Sequence, residues 1–356
     1  MPKTVAPAIS FQKSAIGLVA AGVVGIYALA LVGPDLKPLP AALPASAISG
    51  AAISGAAMTP QILSAALADE RAERAPSVAQ ARFAKSAEIH IVSSAGKLSQ
   101  LFKRIGYELE GVRTKGEVPR LFIASLPHDL KKLAQPSHRK VMFIKSTLPL
   151  ILHVNELIAH DRERLIELRR KMHAGVPLPS EDQAWLSRMA ERHDLDSIDI
   201  DELLLRVDVI PPSLAIAQAA EESGWGTSRF AREGNALFGQ RVYDDERPGI
   251  VPDERDEGLT FRVRAFNHLI DGVKSYMRNL NSHFAYDRFR EERARMRAEG
   301  GEIDGYRLVE TLDRYSERGD AYVATIRKIM RSNGLEVFDG ARLGGQIAAE
   351  EPPPDA

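Results

Sequence analysis

Residues 217–226 read Ala-Gln-Ala-Ala-Glu-Glu-Ser-Gly-Trp-Gly and decide how the rest of this 356-residue chain is interpreted. Pro211 and Pro212 suit the start of a helix, because its first turn needs no backbone donor, and Ser213 is expected to cap it. The two glycines around the tryptophan supply the left-handed conformations that end a helix. The sequence therefore predicts a short apolar helix that ends on two adjacent carboxylates.

The surroundings predicted for these carboxylates suit acid catalysis. Ala215, Ala219 and Ala220 are small, so a neighbouring backbone or a ligand can approach closely, and Trp225 places a large aromatic ring just past the acidic pair. Such surroundings desolvate a carboxyl group and raise its pKa. A carboxylic acid that keeps its proton near neutral pH is what glycoside cleavage requires. An ordinary helix end with two solvated glutamates fits these ten residues equally well.

Further motifs follow this stretch in the order Thr227-Ser228-Arg229-Phe230-Ala231, Asn235-Ala236-Leu237-Phe238-Gly239-Gln240, Asn279-Leu280-Asn281-Ser282-His283 and Tyr315-Ser316-Glu317-Arg318-Gly319, with Tyr322-Val323. Together they resemble the bacterial cell-wall glucosaminidases of glycoside hydrolase family 73, whose signature is Ala-x-x-Glu-Ser-Gly-Trp-Gly, and most closely the Bax-type branch. The resemblance covers residues 143–337 and says nothing specific about the first hundred residues.

The resemblance implies an α+β, mostly helical, lysozyme-like fold with a small β-lobe. It also implies that Glu222 is the catalytic acid and that Tyr315 is a functional tyrosine beside it, although a packing role at a helix end is the alternative for Tyr315. The side chains expected to shape the sugar-binding groove are Trp225, Asn235, Phe238 and Tyr322.

The function implied is hydrolysis of peptidoglycan at the β-1,4 bond after N-acetylglucosamine, without a cofactor. The second catalytic element stays open, because a nucleophilic carboxylate, a carboxylate that activates water and the acetamido group of the substrate all fit the sequence. Two other functions stay open as well. One is a non-catalytic peptidoglycan-binding scaffold on the same fold, and the other is an envelope regulator that acts through the helical region before Ile200.

Composition excludes several other classes. The chain has 47 Lys and Arg against 48 Asp and Glu, so it lacks the basic excess of a nucleic-acid-binding protein. It has no cysteine, which rules out disulfides and thiolate metal sites. The sequence contains no His-Glu-x-x-His pair, no phosphate-binding Gly-rich loop and no Gly-x-Ser-x-Gly elbow, so no metal site is predicted.

The amino-terminal end predicts a membrane anchor. Ser14–Val32 is uncharged and mostly apolar, and its length approaches the ~20 residues that cross a bilayer. Lys3 and Lys13 precede the run and favour a cytoplasmic amino terminus. We therefore predict a single-pass inner-membrane protein whose catalytic domain faces the periplasm. A signal peptide cleaved near Ala45-Ser46-Ala47, which would leave a soluble periplasmic protein, is the alternative.

The predicted order along the chain is an anchor or signal (1–33), a flexible Ala/Pro-rich linker (34–84), a helical region (85–190), the glucosaminidase domain (191–340) and a disordered tail (341–356). Residues 155–171 have the spacing of an amphipathic helix, and the Arg-rich stretch 287–297 is expected to be a solvated helix. After Gly239 the pattern changes to short alternating segments with turns, which predicts a mobile β-lobe.

Overall fold

A computed structural model describes residues 89–253 and 260–344. The predicted anchor (1–33), the linker (34–84) and the end of the predicted tail lie outside these residues. The helices in chain order are α1 (Ala95–Arg104), α2 (Leu109–Lys115), α3 (Pro136–His173), α4 (Ser180–Arg192), α5 (Ile200–Arg206), α6 (Pro212–Ser223), α7 (Arg229–Gly234), α8 (Leu269–Ser282), α9 (Asp287–Ala298), α10 (Gly305–Leu308) and α11 (Asp320–Asn333). Single 3₁₀ turns lie at His128–Lys132, Phe284–Tyr286, Val309–Leu312 and Glu336–Phe338.

The strands are short and form three separate small sheets. They are β1 (Ile89–His90), β2 (Glu117–Val118), β3 (Phe122–Ile123), β4 (Arg241–Val242), β5 (Gly249–Ile250), β6 (Arg262–Arg264) and β7 (Arg342–Leu343). β1 pairs with β3 and β2 pairs with β7, both in parallel. β4, β6 and β5 form an antiparallel sheet in that order, with Arg241 opposite Val263 and Gly249 opposite Arg264. The predicted mostly helical α+β class with one small β-lobe is therefore confirmed.

Helix α3 is the central helix of the core. Its apolar run from Met142 to Leu152 is buried and passes through Pro149 without ending, so the predicted amphipathic stretch 155–171 is the second half of one long helix. The helix is long and apolar enough to cross a membrane, but 83% of the apolar window is buried inside the molecule. That burial identifies α3 as a core helix, and it packs against α6 and α8.

The second half of α3 packs with α4 and α5 around a smaller core. Its buried members are Leu165, Leu168, Trp185, Leu186, Met189, Ile200, Leu203 and Val207. Helix α9 connects this smaller core to the rest of the molecule through arginine side chains. The sequence predicted that α9 is a solvated helix, and for these side chains that prediction was wrong. Arg290 and Arg293 are buried, and Arg293 donates to the backbone carbonyls of Leu205, Asp208 and Val209. Burial is possible because the guanidinium is satisfied by carbonyl groups at the end of α5.

Helix α6 is buried on all sides from Pro212 to Ala220, as an apolar helix without a polar face should be. Ser213 does not cap it, because Pro211 occupies the capping position. The amide and hydroxyl of Ser213 instead donate to the Asp339 carboxylate at 2.8 and 2.7 Å. Gly224 ends the helix with φ of 57°, as predicted. Two residues later, a Cβ on Gly226 would lie 2.4 Å from Leu126, so only glycine fits this turn.

Candidate active site

Glu222 lies in the last turn of α6 and is half-buried. Its carboxylate faces the loop that leads into the β-lobe, since a Cβ on Gly239 would lie 3.7 Å from Glu222 Oε2. The other oxygen, Oε1, accepts a hydrogen bond of 3.2 Å from the hydroxyl of Tyr322 on α11. The two carboxyl oxygens therefore have different surroundings, one directed to the protein interior and one to the β-lobe side.

The protein around Glu222 favours its neutral form. Desolvation by burial, helped by the negative charge of Glu221, raises the pKa of the Glu222 carboxyl to about 7. The hydrogen bond from Tyr322 and the charge of Arg318 act in the opposite direction but do not cancel the desolvation. At neutral pH about half of the carboxyl groups with this pKa carry a proton. The protonated form is the one that a general acid requires.

Glu221 has a different environment although it is the adjacent residue. Its Oε1 accepts a hydrogen bond of 2.7 Å from Arg318, and the two side chains form an ion pair. Adjacent residues on an α-helix point about 100° apart, so only one of the two glutamates can take the position beside Tyr322. Glu222 takes it, on the side of the helix that also carries Ala215 and Ala219, both fully buried.

A chain of buried hydrogen bonds supports Glu222 from behind. The Tyr276 hydroxyl on α8 donates to Gln218 Oε1 at 2.7 Å. Gln218 Nε2 donates to the Tyr322 hydroxyl at 2.8 Å. Gln218, Tyr276 and Tyr322 each have no exposed surface. Neither Gln218 nor Tyr276 was predicted to be a site residue. A signal for Gln218 was present, because it is the only polar residue between Ser213 and Glu221 and lies one turn before Glu222.

The two predicted tyrosines lie next to each other. Tyr315 stacks on Tyr322 with ring centroids 5.4 Å apart and planes at 12°, and the Tyr286 ring centroid lies 5.9 Å from that of Tyr315. Tyr322, which was expected only to shape the groove, makes the hydrogen bond to Glu222. Tyr315 lies one ring behind it, and its catalytic role stays a prediction.

The other predicted groove residues make different contacts. Phe238 stacks on Tyr276 at 3.8 Å, so it covers the hydrogen-bonded chain. Trp225 turns towards α3, where its ring contacts Phe143 at 5.7 Å and the Lys140 ammonium at 4.9 Å. Asn235 is buried, has φ of 52°, and donates to the carbonyls of residues 266 and 267 at 3.0 Å each. Asn235 therefore holds the β-lobe onto the rest of the domain.

Three described aspartates of the β-lobe form ion pairs with arginine. Asp244 accepts from Arg247, whose hydrogen bonds lower the pKa of Asp244 to about 2. Asp253 contacts Arg229 at 3.0 Å, and Asp245 is fully exposed with Arg262 at 3.6 Å. Residues 254–259 lie outside the described part of the lobe. Within residues 89–253 and 260–344, no three His, Asp or Glu side chains are grouped to hold a metal ion.

This part of the chain is similar in sequence to known proteins. The glucosaminidase family, described as mannosyl-glycoprotein endo-beta-N-acetylglucosaminidase, matches residues 199–335, which contain both Glu222 and Tyr322. Protein bax of Escherichia coli (strain K12) is 35% identical over 208 residues, which cover 56% of this chain and 71% of that protein. No solved structure matches the chain significantly. The chain belongs to the glucosaminidase family.

Proposed function

We propose that this protein is a peptidoglycan hydrolase that cleaves the β-1,4 bond after N-acetylglucosamine, with Glu222 as the general acid. The observation that carries the proposal is the raised pKa of the Glu222 carboxyl, about 7, at a helix end beside the β-lobe. The family description supports hydrolysis of an N-acetylglucosaminide. The near-zero net charge of the chain suits a glycan bound by stacking and hydrogen bonds.

The reaction follows from the position of the proton. Glu222 transfers its proton to the glycosidic oxygen, the bond from that oxygen to the sugar C1 breaks, and the leaving sugar departs as an alcohol. C1 then bonds to the oxygen of a water molecule, and the proton that this water loses passes through a base to the ionised Glu222, which restores the acid. Tyr322 holds the ionised Glu222 through its hydrogen bond, and we propose that Tyr315 orients the reacting sugar. A carboxylate of the β-lobe or the substrate's acetamido group would complete the site.

Adjacent glutamates provide the test of the acid. Glu222→Gln keeps the shape but removes the proton donor, so peptidoglycan hydrolysis by the full-length chain in mild detergent should fall about 10²- to 10⁴-fold. Glu221→Gln removes the ion pair with Arg318 and one of the smaller contributions to the raised Glu222 pKa, and it should keep more than about a tenth of the activity. Melting curves of both variants exclude unfolding as the cause.

Two results would contradict the assignment. If Glu221→Gln is inactive while Glu222→Gln is active, the acid is the neighbouring residue. If neither substitution matters, the chain is better explained as a non-catalytic peptidoglycan-binding scaffold.

The identity of the cleaved bond is tested separately by reducing the digest with borohydride, because a glucosaminidase leaves reduced N-acetylglucosamine at the new end. Reduced or anhydro muramic acid would overturn the bond but keep Glu222 as the acid.

We also propose that residues 1–33 anchor the protein in the inner membrane with the catalytic domain in the periplasm. The uncharged run Ser14–Val32 behind two lysines supports the anchor. Carbonate-washed membranes should retain the full-length protein. A mature protein that begins near Ser46 and fractionates with the periplasm would instead establish the cleaved signal peptide.

A further inference from the structure

The hydrogen bonds behind Glu222 form one linear chain that crosses three helices. It runs from Tyr276 on α8 through Gln218 on α6 to Tyr322 on α11 and ends at Glu222 Oε1. All three supporting side chains are fully buried. Solvent therefore does not reach the bonds that join Tyr276, Gln218 and Tyr322, and each of these groups depends on its neighbour in the chain.

The direction of the chain is fixed at its far end. Within the described residues, the hydrogen-bond partner of the Tyr276 hydroxyl is Gln218 Oε1. If the Gln218 amide were reversed, the Tyr276 hydroxyl would face a donor, and its own buried hydrogen would have no acceptor. An unsatisfied buried donor costs about 1–3 kcal/mol, which selects the orientation with Gln218 Oε1 towards Tyr276.

That orientation determines where the next hydrogen goes. The Gln218 amide presents its NH₂ group to the Tyr322 oxygen, so the hydrogen of the Tyr322 hydroxyl must point to its other neighbour, Glu222 Oε1. An oxygen that accepts this bond is not the one that carries the acidic proton. Glu222 Oε2, on the side of Gly239, is left for it.

We propose that Tyr276 and Gln218 are positioning residues, which orient the Tyr322 hydroxyl so that the acidic proton of Glu222 sits on Oε2, facing the substrate. The proposal rests on the proposed function in assigning a use to that proton, but the orientation itself is a property of the protein alone. Without Tyr276 the amide can reverse, and the Glu222 proton can then move to Oε1 and bond inward to Tyr322.

Other groups near Glu222 also affect its pKa, and their effects can be separated from that of Tyr276. Glu221 on the same helix and Arg318 before α11 act through their charges, with opposite signs. The hydroxyls of Tyr276 and Tyr322 lie behind the carboxyl, and Tyr315 stacks on Tyr322. Substitution of Tyr276 leaves both charges in place. A shift in the Glu222 titration would therefore report the hydrogen-bonded chain.

The experiment is Tyr276→Phe in the full-length chain, with Tyr107→Phe as the matched control. Tyr107 is also fully buried, but its hydroxyl has no hydrogen-bond partner in the described part of the chain. Carboxyl-¹³C-labelled glutamate gives the Glu222 pKa by NMR, with Glu222→Gln to assign the signal. We expect Tyr276→Phe to raise this pKa by about one unit, because the carboxylate loses a donated bond and the acid gains an inward acceptor.

Kinetics give the second readout. For Tyr276→Phe we expect kcat to fall about 10-fold with KM unchanged, and the alkaline limb of the pH profile to move up with the pKa. Tyr107→Phe should change neither. A folded Tyr276→Phe in which Glu222 titrates as in the wild type would overturn the proposal. An inactive wild-type enzyme would contradict the proposed function alone, because the NMR titration needs no activity.

A double-mutant cycle separates an effect through Gln218 from a direct effect of Tyr276. Gln218→Met removes the amide at similar volume, and Gln218→Met with Tyr276→Phe also removes the orphaned hydroxyl, which keeps a folded variant accessible. We expect Tyr276→Phe to leave the Glu222 pKa unchanged in the Gln218→Met background. An equal shift in both backgrounds would show that Tyr276 acts directly and would overturn the positioning role of Gln218.

Discussion

Glu221 and Glu222 are chemically identical neighbours that the fold places in opposite environments. Glu221 meets a guanidinium, whereas Glu222 meets a tyrosine hydroxyl and protein that excludes water. Desolvation raises the pKa of Glu222 because the charged form loses hydration that the single bond from Tyr322 does not replace. A site that keeps an acid protonated in this way has a cost in the stability of the folded state.

That cost predicts how stability depends on pH. Burial raises the pKa of Glu222 from 4.5 to about 7, so between these values the folded state keeps a proton that the unfolded state releases. The contribution of Glu222 to stability should therefore fall as pH rises from about 4.5 to 7. Glu222→Gln has no proton to lose, and its melting temperature should exceed that of the wild type by a few degrees at pH 8 and match it at pH 4. Equal melting temperatures at both pH values would contradict the raised pKa.

At the scale of elements, the sequence predicted α6 well, because its start and end depend on local chemistry. Proline at the first turn and glycine after the last one need no tertiary contact to act, and the alternation after Gly239 likewise predicted the β-lobe. The prediction that Ser213 caps α6 was wrong, because Ser213 binds Asp339, which lies 126 residues away in the sequence. The same limit applies to Tyr276 and Tyr322, which lie 58 and 104 residues from Gln218. The spacing of residues within a short stretch of sequence cannot show which side chains from distant parts of the chain come into contact.

The turn that ends α6 supplies a prediction at this scale. Gly226 has φ of 75°, and a Cβ there would lie 2.4 Å from Leu126 and 3.1 Å from Phe143. Gly226→Ala should lower the free energy of unfolding by about 2–4 kcal/mol, from left-handed strain and overpacking together. Gly106→Ala is the control, because Gly106 has φ of 64° and open space around it. It should cost only about 1 kcal/mol in chemical denaturation. Equal costs would show that the turn is not tightly packed.

For the whole molecule, the important feature is that the part that matches the glucosaminidase family and the segment before it share one hydrophobic core. Phe143 and Leu148 of α3 belong to the same buried cluster as Leu214 of α6 and Ile326 of α11. The Phe143 ring also contacts Trp225, which lies just after the end of α6. The predicted division into a helical region (85–190) and a glucosaminidase domain (191–340) stays a prediction. The shared core indicates that these regions depend on each other for stability.

This dependence predicts which fragments fold. Residues 89–344 should unfold in one cooperative transition, whereas residues 199–335, which match the family, should not fold alone, because removing α3 exposes an apolar face of α6. Circular dichroism during chemical denaturation distinguishes the two. Within the full chain, Phe143→Ala should cost about 3–5 kcal/mol, while Ile166→Ala, whose side chain is 51% exposed on the same helix, should stay within about 0.5 kcal/mol. Cooperative unfolding of the 199–335 fragment would show instead that these residues have a sufficient hydrophobic core of their own. Helix α3 would then not be required for them to fold.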